Sequence, residues 1–293
     1  MRRVFTFAGF LAAFGLLVLS SGCGKHLTDD DDPSDDVRKI GSTRKVVAKT
    51  PLKAPLDGII SGRVIFEGDI PTAEPITAMN GHADKGHCLK GSESETTTQT
   101  WHVDGATKGV ADAVIFIRPP RDKYFELTEA ARTPATKIEE IRQPHCAFIP
   151  HVLTLFPKYF DGKEEKETGQ KLKIINDAPI AHNVRYEGDP RKNGTFSSPV
   201  APNGSLPLKV LTPENSPLNV SCQFHSWMSA KIWVFDNPFF AKTDAKGNFE
   251  IKNVPTGVPV TFIAWHEGKG EFVKETRTFT KGANPPITLK ISK

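Results

Sequence analysis

Across 293 residues this chain has only four cysteines and three methionines, so any sulfur chemistry must rest on very few positions. The spacing C-x-x-C-H occurs nowhere, which excludes covalent haem of the c type. H-E-x-x-H and G-x-S-x-G are also missing, so neither a zincin centre nor a nucleophile elbow is available. Charge of one sign is scarce as well: the formal net charge is +4, and Arg2 and Arg3 supply half of it. A body so near neutrality gives no basis for a nucleic-acid or polyanionic partner. Long hydrophobic runs are rare too, and the one that stands out lies at the very start.

That run, Val4 to Leu19, follows Arg2 and Arg3 and precedes Ser20-Ser-Gly-Cys23. A basic start, an apolar stretch and a small-residue cleavage site read as a signal peptide over residues 1–22. The alternative is a single N-terminal membrane helix, for which a span needs about 20 apolar residues. Ser-Ser-Gly-Cys resembles the lipobox of bacterial lipoproteins, which implies that Cys23 carries a lipid. Ser20 stands where that motif usually has Leu, and Leu19 sits one position further back. Arg2-Arg-Val-Phe5 also loosely resembles a twin-arginine export signal. The expected location is therefore membrane-anchored and facing the periplasm, and Gly24 offers no Asp for inner-membrane retention. Residues 24–56 combine an acidic cluster, Asp29 to Asp36, with a basic stretch from Arg38 to Lys53 and few apolar side chains. They read as a disordered tether following the lipidated Cys23.

From Asp57 onward the pattern is β. Ile59–Phe66, Val110–Ile117, Lys171–Ile175, Leu206–Leu211, Leu218–Cys222, Ala230–Phe235, Asn248–Ile251 and Val258–Ala264 are β-rich or alternating runs. Turn residues such as Asp161-Gly and Asn203-Gly separate them. Tyr124–Ile141 alone has helical character, interrupted by Pro134. The expected class is all-β, and the length suggests two β units. Their boundaries are placed at 57–139 for the first part of one unit, 140–237 for the other, and 238–293 for the remainder.

The chemistry concentrates in Cys222-Gln-Phe-His225-Ser-Trp-Met228, which sets a thiol, an imidazole and a thioether at C-x2-H-x2-M. A second imidazole, His182, lies upstream in Asn176-Asp-Ala-Pro-Ile-Ala-His-Asn-Val184. Two His, one Cys and a weak axial Met form the donor set that selects copper for electron transfer. With Cys23 lipidated and Cys222 on copper, Cys88 and Cys146 remain, and an oxidising compartment favours their pairing. The competing reading is a second metal site using His145, Cys146 and His151, or His82, His87 and Cys88. Additional histidine clusters for a multicopper oxidase or a nitrite reductase are not found, since no H-x-H pair exists.

His182-Asn-Val followed by Cys222-x2-His225-x2-Met228 resembles the cupredoxins, with the short ligand loop of amicyanin-type blue copper proteins. Phe148-Ile-Pro-His-Val152 and Gly169-Gln-Lys-Leu-Lys-Ile-Ile-Asn176 match the usual approach to the first ligand, so the resemblance covers about residues 140–240. It implies a Greek-key β-sandwich holding one copper between His182, Cys222, His225 and axial Met228. It also implies that Asn183 ties the two ligand loops together, and that the loop His reaches the surface through an apolar patch. Pro179, Ile180, Phe224 and Trp227 are candidates for that patch, with plain core packing the alternative for Phe224 and Trp227. Thr243-Asp-Ala-Lys-Gly-Asn-Phe249 and Val254-Pro-Thr-Gly257 resemble the carboxypeptidase regulatory-like, or transthyretin-like, β-sandwich, which implies a structural or adhesive unit. The resulting expectation is a non-enzymatic electron carrier working between periplasmic or membrane redox proteins. Copper delivery or storage, and a purely structural role, are the alternatives.

Overall fold

A computed structural model describes residues 48–293. The expected signal peptide, Cys23 and most of the expected 24–56 tether lie outside the described residues. Within them the chain is all-β, with helical turns confined to short pieces such as Thr77–Gly81, Lys85–Cys88, Glu93–Thr96 and Ala130–Arg132.

The alternation of side chains explains how the sheets stack. Val114–Arg118 lies inside a sheet ordered Phe240–Lys242, Val114–Arg118, Pro259–His266, Gly270–Thr278. Successive strand residues face opposite sides. Ile115 and Ile117 enter one core while Val114 and Phe116 enter another, and all four are fully buried. An unbroken apolar run is what a strand covered on both faces requires. On one side, Ile115 and Ile117 meet Ile60 and Val64 of Leu56–Phe66, whose sheet partners are Asn248–Pro255 and Ile287–Ile291. On the other side, Val114, Phe116, Ile263 and Trp265 pack against Val152, Trp233 and Phe235. Trp233 meets Trp265 edge-on at 5.5 Å and Phe116 at 5.0 Å. Each aromatic side chain buried there contributes about 2–3 kcal/mol.

Trp233 belongs to a five-stranded sheet ordered Thr195–Val200, His182–Glu187, Leu218–Ser221, Ser229–Val234, Val152–Leu155. Its far face carries Val184, Tyr186, Leu218, Val220, Ala230 and Ile232 into a further core. A three-stranded sheet of Ser205–Pro207, Lys171–Ile175 and Ile138–Arg142 closes that core with Leu172, Ile174 and Ile141. The order of layers is thus sheet, core, sheet, core, sheet, core, sheet.

Three sequence expectations need correction. Tyr124–Ile141 is not helical: it holds the end of the strand Lys123–Phe125, one 3-10 turn and most of Ile138–Arg142, which pairs in parallel with Lys171–Ile175. Register with a neighbouring strand outweighs local helix preference here. Leu206–Leu211 ceases to be strand after Pro207, although the Leu208 N–H still donates to Leu172 O at 3.0 Å. The tether does not reach residue 56, because Thr50–Leu52 pairs with Lys123–Phe125 and Leu52 is buried.

Residues 76–96 lie in the 57–139 stretch, yet Met79 and Cys88 are members of the core beneath the five-stranded sheet. Glu95 caps its own short helix through the Ser92 backbone N–H and also meets His145 Nδ1 at 2.9 Å. A disulfide joins Cys88 to Cys146 across 58 residues. Closing a loop of that length restricts the unfolded chain by about 4 kcal/mol on the loop-entropy account. The Cys88→Ser/Cys146→Ser double variant is therefore expected to unfold at a clearly lower urea midpoint. An unchanged midpoint would show that the staple adds no stability.

Candidate metal centre

Two neighbouring strands bring the donors together. His182 opens the strand His182–Glu187, and Cys222 follows directly on Leu218–Ser221. The pair run antiparallel with Arg185 opposite Ser221, so His182 and Cys222 emerge at the same end of the sheet. From Cys222 the chain makes a closed loop: Cys222 N–H donates to Met228 O at 3.3 Å, and Met228 N–H donates to His225 O at 2.9 Å. Those two bonds fold His225 and Met228 back toward the cysteine.

All four sequence-derived ligands are buried: His182 and His225 are fully so, and Cys222 and Met228 nearly so. Cys222 is a free thiol. His225 Nδ1 stands 3.8 Å from Cys222 Sγ, and the rings of His182 and His225 are 4.7 Å apart. One donor atom each from His182, Cys222 and His225 falls within 4.8 Å of the others. Both ring nitrogens of His182 are buried without any hydrogen-bond partner. Leaving such atoms unpaired costs about 1–3 kcal/mol, so their presence asks for a partner of another kind. Burial, assisted by the neighbouring His225, pushes the His182 pKa down to about 4. Burial also lowers that of His225, against the opposing pull of Asp84. Both imidazoles are thereby held neutral, the form in which a metal can be bound.

Asn183 links the two ligand-bearing segments. Its backbone N–H points at Cys222 Sγ at 3.4 Å, and its side-chain oxygen accepts the Gln223 N–H at 3.2 Å. Its amide nitrogen donates to Ser197 Oγ at 3.1 Å, and Ser197 in turn donates to Gln223 Oε1 at 2.7 Å. Asn176 does the same for the loop before His182, donating to the carbonyls of Ile180, Val200 and Ala201.

The remaining sequence candidates fall as follows. Pro179 is exposed and Ile180 half-buried. Phe224 is 48 % exposed, one of few large apolar side chains so open among the described residues. Trp227 is half-buried, donates its indole N–H to Cys146 O at 3.1 Å, and meets His225 edge-on at 5.3 Å. The clusters weighed as a second metal site are not assembled as such, although His82 brings a donor atom within 4.8 Å of Asp84 and His225. Cys88 and Cys146 are bonded to one another, His87 stacks on His145 at 5.1 Å, and His151 meets Ser229 O at 3.0 Å and Glu267 Oε2 at 2.5 Å.

The expectation that the loop histidine reaches the surface is corrected. His225 is fully buried, and the stapled 76–96 segment supplies part of its cover: its Nε2 is 3.0 Å from Asp84 Oδ2, and the His82 ring lies 4.7 Å away. Nothing in the sequence places Asp84 there, because the contact spans 141 residues. The only hint is the His82-Ala-Asp-Lys-Gly-His-Cys88 cluster itself.

No family model matches the chain, and no curated protein matches it. Among solved structures, a mutant amicyanin in its Cu(I) form is similar at 13 % identity and a TM-score of 0.27, covering 41 % of this chain and 98 % of that one. Amicyanin from Paracoccus versutus stands at 14 % and 0.27, covering 41 % and 97 %. A purple cupredoxin from Nitrosopumilus maritimus stands at 14 % and 0.24, covering 33 % and 98 %. Likeness at these scores says nothing about chemistry, which rests on the side chains above.

The depressed His182 pKa has a measurable consequence in metal-free protein. Between about pH 6.5 and 4 the unfolded His182 takes up a proton and the folded one does not, so stability falls as pH falls, by up to about 3 kcal/mol. Denaturant titrations across that window should show His182→Leu with a shallower slope, by close to one proton. An unchanged slope would place the titration elsewhere.

Proposed function

We propose that this protein binds one copper ion as a type 1 centre and carries single electrons between periplasmic or membrane-associated redox proteins. The observation that carries this reading is the fully buried His182, with both ring nitrogens unpartnered, beside the free buried thiol of Cys222. A bond from His182 to a metal would partner one of those nitrogens, and the set N, N, S with a thioether nearby suits copper above other first-row ions. His182, Cys222 and His225 would hold the ion, with Met228 as the weak fourth donor. Copper held there would supply a one-electron Cu(II)/Cu(I) couple.

The chain's own contribution is rigidity and exclusion of water. The Asn183 N–H directed at Cys222 Sγ stabilises negative charge on sulfur, and Asn183 with Asn176 fixes both ligand segments. Support of this kind limits movement of the donors when charge changes. The full burial of His182 and His225, with 76–96 over the latter, favours a carrier over an enzyme. The same burial disfavours delivery or storage, which calls for rapid exchange. Phe224, exposed beside the ligand loop, is the apolar contact point this reading offers a partner. Cys23 would carry the lipid that holds the body at a membrane, facing the periplasm. The other sandwich, with its transthyretin-like hairpin, is read as a structural or adhesive support.

The test is a visible and EPR spectrum after one equivalent of Cu(II), with Cys222→Ser beside it. An intense thiolate-to-copper band with narrow hyperfine splitting is expected in the parent and absent in the variant. A pale spectrum indifferent to Cys222→Ser would defeat the reading and leave a β-sandwich protein without copper chemistry.

A further inference from the structure

We infer that Asp84, contributed by the stapled segment outside the ligand loop, is a positioning residue that fixes the tautomer of His225 and lowers the reduction potential of the centre. The inference rests on the copper reading above. An ionised carboxylate can only accept a hydrogen bond. The 3.0 Å approach of Asp84 Oδ2 to His225 Nε2 therefore requires the proton on Nε2. That leaves the Nδ1 lone pair free, and Nδ1 is the nitrogen facing Cys222 Sγ at 3.8 Å.

The segment holding Asp84 is fixed from several sides. The Asp84 N–H donates to His82 Nδ1 at 3.2 Å, and His82 Nδ1 also lies 3.6 Å from Asp84 Oδ2. His82 and His225 both pack against the Trp227 ring, at 5.2 and 5.3 Å. His87 Nε2 sits 3.2 Å from Pro144 O, one residue before the His145–Cys146 pair to which this segment is bonded. The disulfide sulfurs themselves come within 4.8 Å of a His225 nitrogen. Asp84 is thus held at the ring edge remote from Cys222, where a ligand histidine's carboxylate partner raises the basicity of the imidazole. A negative charge there favours the more positive oxidation state. His225 is fully covered, while the Asp84 side chain keeps 37 % of its surface exposed.

The experiment compares the full chain with Asp84→Asn, Asp84→Ser and, as a charge control at an exposed position fifteen residues earlier, Asp69→Asn. All are loaded with one equivalent of copper and poised by redox titration. Both Asp84 variants should keep the charge-transfer band and shift the Cu(II)/Cu(I) ratio at fixed potential at least tenfold toward Cu(I). That is a rise of about 59 mV for one electron. Asp69→Asn should leave it unmoved. In metal-free parent protein, imidazole ¹⁵N shifts should report His225 protonated on Nε2. An unchanged potential in both Asp84 variants, or an Nδ1–H tautomer in the parent, would overturn the inference. Absence of the band in every protein would instead count against copper, and the metal-free ¹⁵N measurement would still decide whether Asp84 holds the ring.

Discussion

The register between His182–Glu187 and Leu218–Ser221 is the constraint on which the site depends. With Arg185 opposite Ser221, the segment ends carrying His182 and Cys222 lie side by side. A slip of one residue would turn every side chain to the other face of the sheet. Val184, Tyr186, Leu218 and Val220 would leave the core together, and the two donors would separate. The burial of those four residues therefore locks the register. Asn183 locks it again at the sheet's end, through three polar contacts that no shifted pairing could make.

The layers behind the site serve the same end. Val114–Arg118 is apolar on both faces, which fuses two sandwiches through the Phe116, Trp233 and Trp265 contacts. Trp233 and Ile232 are neighbours on one strand, one facing that junction and the other the core beneath the donors. The strand that follows the ligand loop is thereby clamped from both sides. A loop that begins at Cys222 and ends against a doubly packed strand has little freedom to spread its donors apart.

The donors were legible in the sequence because their spacing is local and chemically unusual: Cys222, His225 and Met228 fall within one loop. The β character was legible through alternation, most plainly in Lys171–Ile175 and Leu218–Ser221, both of which are strands. Tyr124–Ile141 was misleading because its side chains suit a helix, while its last residues are recruited by parallel pairing with Lys171–Ile175. Asp84 could not be seen at all. Its partner lies 141 positions away, and an Asp in a Gly- and Lys-rich stretch looks like any solvated loop residue. Pairing of Cys88 with Cys146 was open to reasoning by elimination, but that the bridge would set 76–96 on top of His225 was not.

That cover changes what the site is. A histidine with both nitrogens unpaired is a liability to a metal-free fold, and burying it beside a second neutral imidazole compounds the cost. The protein tolerates this arrangement because the surroundings are over-determined by Asn176, Asn183, the Trp227–Cys146 bond and the disulfide. Rigid, dry donors converging on one point are the condition of a preorganised site. If the partner is copper, the same rigidity that costs stability in metal-free protein keeps the donors still when an electron arrives. The route for that electron must then leave through what covers or flanks the donors, since His225 itself meets no solvent. His82 and Trp227 lie against its ring, and Phe224 opens to solvent one residue earlier. Placing the boundary of such a centre in a segment from elsewhere in the chain would separate two tasks: the ligand loop would hold the metal, and the cover would set what a partner meets.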